Sequence, residues 1–155
     1  MAEVAILIGL QAAGKTTFYR QRLAATHVHV SKDNFRHNRN RQRRQMQLIT
    51  DALAAGRDVA VDNTNPSSLE WEPIVDLAHA CGAPVVAYWF PPDVTASLRR
   101  NVNRSGHARV SEIAILSTVK RLRPPRPEDG FDRLVEVSFD GAGGFRLAPL
   151  DMRTQ

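Results

Sequence analysis

Cysteine is almost absent from this chain. Cys81 stands alone, so no internal disulfide can form, which fits a reducing cytoplasm. Long hydrophobic runs are missing too. The main apolar stretches, Val4–Ile8 and Pro84–Phe90, fall far short of the roughly 20 residues that a membrane-spanning helix needs. The start, Met1-Ala2-Glu3, lacks a basic leader, and the apolar run after it ends in a glycine loop, so no signal peptide is expected and a cytoplasmic location is. Lysine occurs only at Lys15, Lys32 and Lys120, and arginine supplies nearly all of the net charge of +5. That charge favours a polyanionic partner, and the planar arginine fork suits phosphate, so nucleic acid is opened as one option. Repeats and linkers are also absent. With 155 residues and 43% hydrophobic content, the chain is expected to form one folded domain over 1–155.

Short apolar strands alternate with helical stretches, the pattern of a mostly parallel sheet covered by helices. Strands are expected at Val4–Ile8, His27–Ser31, Asp58–Asp62, Pro84–Phe90 and Leu134–Phe139. Helices are expected from Lys15 to about Ala25, at Asn38–Ala55, from Ser67 or Ser68 through Cys81, from Asp93 to about Arg104, and at Ser111–Leu122. This is an α/β chain with a doubly wound, mostly parallel five-stranded sheet. The tail from Gly141 to 155 is expected to be irregular or to add a short strand.

The chemistry starts where the first strand ends. Gly9-Leu10-Gln11-Ala12-Ala13-Gly14-Lys15-Thr16 has the spacing G-x-x-x-x-G-K-[ST], with a strand before it and a helix after it. Glycines let backbone N–H groups approach phosphates closely, and the helix N-terminus adds partial positive charge there. Lys15 would reach the β- and γ-phosphates of ATP, and Thr16, followed by Thr17, would place its hydroxyl on Mg²⁺. The guanine-reading N-K-x-D string is missing, and the D-x-x-G string at Asp140–Gly143 lies far from any switch loop, which argues against a GTPase.

Three further segments follow strands or helices at the same end of such a sheet. Asp33 and Arg36, just beyond the second strand, stand where ligands bind in open α/β sheets. A carboxylate there can orient an acceptor hydroxyl and take its proton, and Arg36 can grip a phosphate; equally, Asp33 can be a helix cap and Arg36 a solvated side chain. Asp62, Asn63, Thr64 and Asn65 end the third strand, where a carboxylate can hold a Mg²⁺-bound water or orient an arginine, or the Asn-Pro pair can simply turn the chain. The stretch from Arg99 to Arg109 is basic and hinge-like. Arg100 and Arg104 share one helix face and suit a lid over 99–110, or a solvated helix end. Arg36, Arg39, Arg41, Arg43 and Arg44 crowd the start of a helix, where cations are disfavoured by about 0.3–1 kcal/mol each, and phosphate contact is one reason for them to stay. His27 and His29 show no metal spacing and are expected to pack.

Together these segments resemble a known family, the 5′-hydroxyl polynucleotide kinases, especially the kinase domain of the polynucleotide kinase 3′-phosphatases. The matching order is the phosphate loop, Asp33-x-x-Arg36, Val61-Asp62-Asn63-Thr64-Asn65-Pro66, a lid with Arg104, Val110-Ser111-Glu112, and Arg123-Pro124-Pro125-Arg126-Pro127-Glu128-Asp129-Gly130-Phe131. It covers about residues 4 to 139. The resemblance implies a P-loop kinase fold that transfers the ATP γ-phosphate to a 5′-OH end of DNA or RNA with Mg²⁺. It implies Gly9 through Thr17 as the nucleotide site, Asp33 as general base, Arg36 on the nearest acceptor phosphate, and Arg104 as the lid arginine at the transition state, with Arg109 as the alternative. Arg100 would lie over the nucleotide base, and Asp62 and Asn65 would face the acceptor. Gln11, Ala12 and Ala13 depart from the Pro, Gly and Ser common in the family's loops. With no D-x-D string, neither phosphatase chemistry nor a recruitment domain is expected. Two other readings stand beside it: a small-molecule P-loop kinase acting on a sugar acid, nucleoside, antibiotic or nucleotide sugar, and a nucleotide-dependent nucleic-acid-binding module without catalysis.

Overall fold

Val4–Ile8 forms β1, and all five of its residues are buried. Nothing in a strand flanked on both sides and covered on both faces meets water, so a continuous apolar run is what such a position demands. The computed structural model describes residues 2–150. Its sheet runs in the order β2 (His27–Val30), β3 (Asp58–Asp62), β1, β4 (Val85–Trp89), β5 (Arg133–Phe139), β6 (Phe145–Pro149). The first five strands are parallel, and β6 pairs antiparallel with β5. The sheet thus gains a sixth strand, formed by part of the tail; positions 151–155 of that tail lie outside the described residues.

The two-residue period of a strand divides the core. Val4, Ile6 and Ile8 face Ile49, Trp71, Ile74 and Ala78 from α2 (Arg41–Ala54) and α3 (Ser68–Ala80). Ala5 and Leu7 face the other way, onto Phe18, Tyr88, Phe90 and Phe145. Phe18 makes edge contacts with Phe90 and Phe145, at centroid distances of 5.5 and 5.3 Å. Helices on both faces make the sheet doubly wound, as expected. None of the described helices is long and apolar enough to cross a membrane.

The helix after the phosphate loop departs from the expected single stretch. Its α-helical part, α1, covers only Lys15–Phe18, and Tyr19–Leu23 continues in a wider π turn. That turn lets the Tyr19 hydroxyl donate to the His27 carbonyl at 2.6 Å, tying the helix to β2. Two helices complete the fold, α4 (Val94–Val102), capped by the Asp93 carboxylate, and α5 (Glu112–Arg121), capped by the Ser111 hydroxyl.

Candidate active site

The carboxyl ends of β1, β2 and β3 bring the first three motifs to one edge of the sheet. The loop between β1 and α1 is held by close approach. A Cβ on Gly9 would stand 2.8 Å from the Phe90 Cβ, and one on Gly14, whose φ is +91°, would stand 2.9 Å from the Phe139 ring. Ala12 adopts φ of +58° in the same loop, a left-handed conformation that glycine reaches more easily. Gln11 donates from Nε2 to the Thr118 hydroxyl of α5 at 3.0 Å, while its buried Oε1 has no partner among the described residues. Thr17 is exposed.

Lys15 is buried, and its Nζ donates to the Leu10 and Gly9 carbonyls at 2.6 and 3.1 Å. Burial lowers its pKa to about 8, with Arg104 adding to the effect and the carboxylates of Asp62 and Asp33 opposing it. Thr16 donates its hydroxyl to the Asp62 carboxylate at 2.7 Å. The same oxygen pairs with His29 Nε2 at 2.8 Å, and Asn34 Nδ2 lies 3.3 Å from His29 Nδ1. Burial would raise the pKa of Asp62; the His29 hydrogen bond, the Lys15 ammonium and the Thr16 hydroxyl outweigh it and hold the carboxyl below its usual value.

His29, expected to be a packing residue, instead orients the buried carboxylate and stacks on Tyr19 at 4.4 Å. Strand register could have revealed it: His29 pairs with Ala60, so Asp62 is its diagonal neighbour on the same face. His27 does pack, buried against Glu3 and Thr26.

Asp33 sits in a single 3₁₀ turn, Lys32–Phe35, that follows β2 directly. The cap of this turn is Ser31, whose hydroxyl accepts from the Asp33 N–H, so the exposed Asp33 carboxylate is free of capping duty. A buried relay holds the turn in place. The Lys32 N–H donates to Asn63 Oδ1 at 2.9 Å, and Asn63 Nδ2 donates to Gln45 Oε1 at 2.7 Å, with Gln45 1% exposed. Arg36 follows the turn, exposed and without an ion pair among the described residues.

Asn65 corrects the expectation that it faces an acceptor. At 3% exposure, its amide donates to the Leu7 carbonyl at 2.8 Å, while Thr64 accepts from the Gly9 N–H at 3.0 Å. Its φ of +44° puts it in the left-handed region that asparagine tolerates. The Asn-Pro turn therefore anchors the root of the phosphate loop. Asp62, likewise 5% exposed, faces Thr16 on the loop side. The Arg123–Phe131 block starts at the Asn-Pro turn, where the Arg123 N–H donates to the Pro66 carbonyl at 3.0 Å, and runs to the start of β4, where the Asp132 N–H donates to the Val85 carbonyl at 2.9 Å. Arg123 binds Asp129 through both guanidinium nitrogens, at 2.7 and 3.1 Å, and lies 4.9 Å over the Trp71 ring.

From the other side come α4 and its loop. Arg100 donates to the Ala12 carbonyl at 2.9 Å and lies 4.4 Å over the Phe139 ring. The two residues border a cleft of about 140 Å³ with Ala13, Pro91, Ser97 and Phe145. Arg104 donates to the Ala108 carbonyl and is half-buried, while Arg109 is exposed. The buried Asn101 amide closes the 102–109 loop by bonding both the N–H and the carbonyl of Val110, at 2.9 and 2.7 Å. Asp140, in the string set aside as a switch motif, organises the β5–β6 turn by accepting from the Ala142 and Gly144 N–H groups.

A phosphate loop, an inward lysine, a threonine–aspartate pair and an arginine-bearing loop on a parallel sheet define a kinase-like P-loop nucleotide-binding domain. The chain belongs to the AAA domain family, whose model matches residues 4–125. It is 25% identical over 141 residues to the bifunctional polynucleotide phosphatase/kinase of Schizosaccharomyces pombe, covering 88% of this chain and 34% of that protein. The chain thus spans about a third of the length of that curated relative. Among solved structures, a fungal RNA kinase shares the fold at a TM-score of 0.71 and 17% identity, over 89% of this chain and 38% of the other. A gluconokinase from Sinorhizobium meliloti does so at a TM-score of 0.59 and 17% identity, over 87% and 81%. The polynucleotide-kinase resemblance drawn from the motifs is matched by the curated relative, and the RNA kinase shares the fold.

Proposed function

We propose that this protein is an ATP-dependent polynucleotide 5′-hydroxyl kinase. The observation that carries the reading is the Asp33 turn, which follows β2 at the edge that holds the phosphate loop, is tied to the end of β3 through Asn63, and presents the exposed Asp33 and Arg36 side chains there.

The donor phosphates lie in the backbone cradle between Gly9 and Thr16, and the base takes the cleft beside Arg100 and Phe139. Lys15 exchanges its two carbonyl partners for phosphate oxygens, which offer full negative charge in place of partial charge. The donor set at the loop suits Mg²⁺: a hydroxyl and an ionised carboxylate are hard oxygen ligands, and among the described residues no cluster of three acidic, histidine or cysteine side chains would cage an ion without phosphate and water. Thr16 and Asp62 would hold it, and the ion would neutralise charge on the β- and γ-phosphates. Asp33 accepts the proton of the 5′-hydroxyl as its oxygen attacks the γ-phosphorus in line and the bond to the β-γ bridging oxygen breaks. Arg104 stabilises the charge on the transferring group, and Arg36 holds the first phosphate on the 3′ side of the acceptor.

The likeness to a gluconokinase keeps a small polar acceptor as the second reading, since fold does not fix substrate. Incubation with γ-labelled ATP and Mg²⁺ separates the two. The acceptors are 5′-OH oligonucleotides of DNA and RNA, their 5′-phosphorylated counterparts, and a panel of sugar acids and nucleosides. Label on the 5′-OH oligonucleotides alone is expected; label on a small acceptor alone would overturn the proposal.

A further inference from the structure

From Asn34 to Thr50 the chain contains no aspartate or glutamate, yet it carries Arg36, Arg39, Arg41, Arg43 and Arg44. All five are exposed, and none takes part in an ion pair among the described residues. The segment is nonetheless built rather than loose. The Asn38 N–H donates to the Phe35 carbonyl at 2.9 Å, and the Asn40 side chain caps α2 by accepting from the Arg43 N–H at 2.9 Å. Arg41 stands close enough to Lys32 to join burial in lowering that ammonium's pKa, so the ridge is continuous with the Asp33 turn.

Helix electrostatics oppose this arrangement. Three arginines fall in the first turn of α2, at its partially positive end, and no acidic residue balances them there. Acidic side chains gather elsewhere: Glu72, Asp76, Glu128 and Asp129 line a groove of about 410 Å³ beside α3. The arginine ridge begins at the proposed acceptor turn and takes part in no ion pair among the described residues.

We infer that the ridge Arg39–Arg41–Arg43–Arg44 binds the phosphates of a single nucleic-acid strand beyond the terminal nucleotide, so that the acceptor is a chain several nucleotides long. The inference rests on the polynucleotide reading for the direction in which the strand leaves the site. Binding to such a ridge is sequence-independent and salt-dependent, because each neutralised phosphate releases counterions.

The test uses the full chain without ATP and 3′-fluorescent single-stranded oligonucleotides already phosphorylated at the 5′ end, so that binding is read apart from transfer. Anisotropy titrations at several salt concentrations compare lengths of about four and about twelve nucleotides, within the range of known single-strand sites. The longer strand should bind at least tenfold more tightly. Replacing Arg39, Arg41, Arg43 and Arg44 together by Gln should remove that advantage and reduce the salt slope by about 3, whereas the fourfold Lys variant should keep both. A thermal melt checks that both variants are folded. Equal binding of the two lengths, or an unchanged salt slope in the Gln variant, would overturn the ridge and leave the kinase reading standing. Length-dependent binding without label transfer to any 5′-OH strand would keep the ridge and sink the kinase reading instead.

Discussion

Around the phosphate loop, the lysine, the threonine–aspartate pair and the neighbouring arginine are all engaged within the protein. Lys15 sits on two carbonyls, Thr16 and His29 share one oxygen of Asp62, and Arg100 holds Ala12 while covering Phe139. At the Asp33 turn the reverse holds. Its backbone is fixed by Ser31, Asn63 and Gln45, but Asp33, Arg36 and the arginines that follow are exposed to water. A ligand that is always the same nucleotide can be met by a preorganised cradle, which avoids reorganisation at the moment of reaction. A strand end that varies in sequence is better met by exposed charges on a rigid backbone, which recognise phosphate and little else.

The contrast can be broken most severely at Lys15. Lys15→Met should lower transfer by at least about 10²-fold, read in single-turnover assays, because it removes the principal cation from the cradle. The same variant should keep or raise the thermal midpoint at pH 7. The sign follows from the lowered pKa: between about 8 and 10.5 the unfolded chain holds the extra proton, so stability rises with pH through that window and the buried ammonium is a cost below it. ATP affinity in the wild type should weaken as pH rises above about 8, since binding must then recharge the lysine; calorimetry should record proton uptake.

At Asp62 the expected effect is on stability. Asp62→Ala leaves the Thr16 hydroxyl and the His29 N–H without their acceptor and should cost about 1–3 kcal/mol in denaturant unfolding. The difference from wild type should be complete above pH 3.8 and fade as pH falls through the lowered value, because protonation removes the same interaction. A smaller effect is expected at the cleft. Arg100→Ala should weaken ATP binding a few-fold, in keeping with about 0.5–1 kcal/mol for a partly exposed cation over a ring. The smallest lies at Ala12. Ala12→Gly relieves a left-handed alanine worth about 1–2 kcal/mol but frees the unfolded chain by roughly 0.5–1 kcal/mol, so the melting temperature should move upward only slightly.

What the sequence made legible follows the range of the interactions. The phosphate loop, the five parallel strands and most helix bounds were readable because each is a local pattern: an apolar run, a capping serine, a glycine stop. Asp33 was placed by its distance from a strand end, and the structure sets it in the turn directly after β2. Asn65 misled because its exposure is decided by Leu7, 58 positions away, whose carbonyl takes its amide. His29, Gln45 and Asn63 were missed as site supports for the same reason, since each works through a partner on another element. The short strand allowed for the tail is β6, but its antiparallel pairing was not readable, because Phe139 of β5 and Phe145 meet at 5.2 Å only once the intervening turn brings them together.

The division between a prepared donor side and an open acceptor side is tested most directly by Asp33→Asn, which keeps the shape of the turn and removes only the base. Single-turnover transfer to a 5′-OH oligonucleotide and ATP binding should be measured on the same preparation. We expect transfer to fall by about 10²–10⁴-fold while ATP affinity stays within about twofold of wild type. Unchanged transfer would contradict the assignment of Asp33 as base, and a parallel loss of ATP affinity would contradict the separation of the two sides.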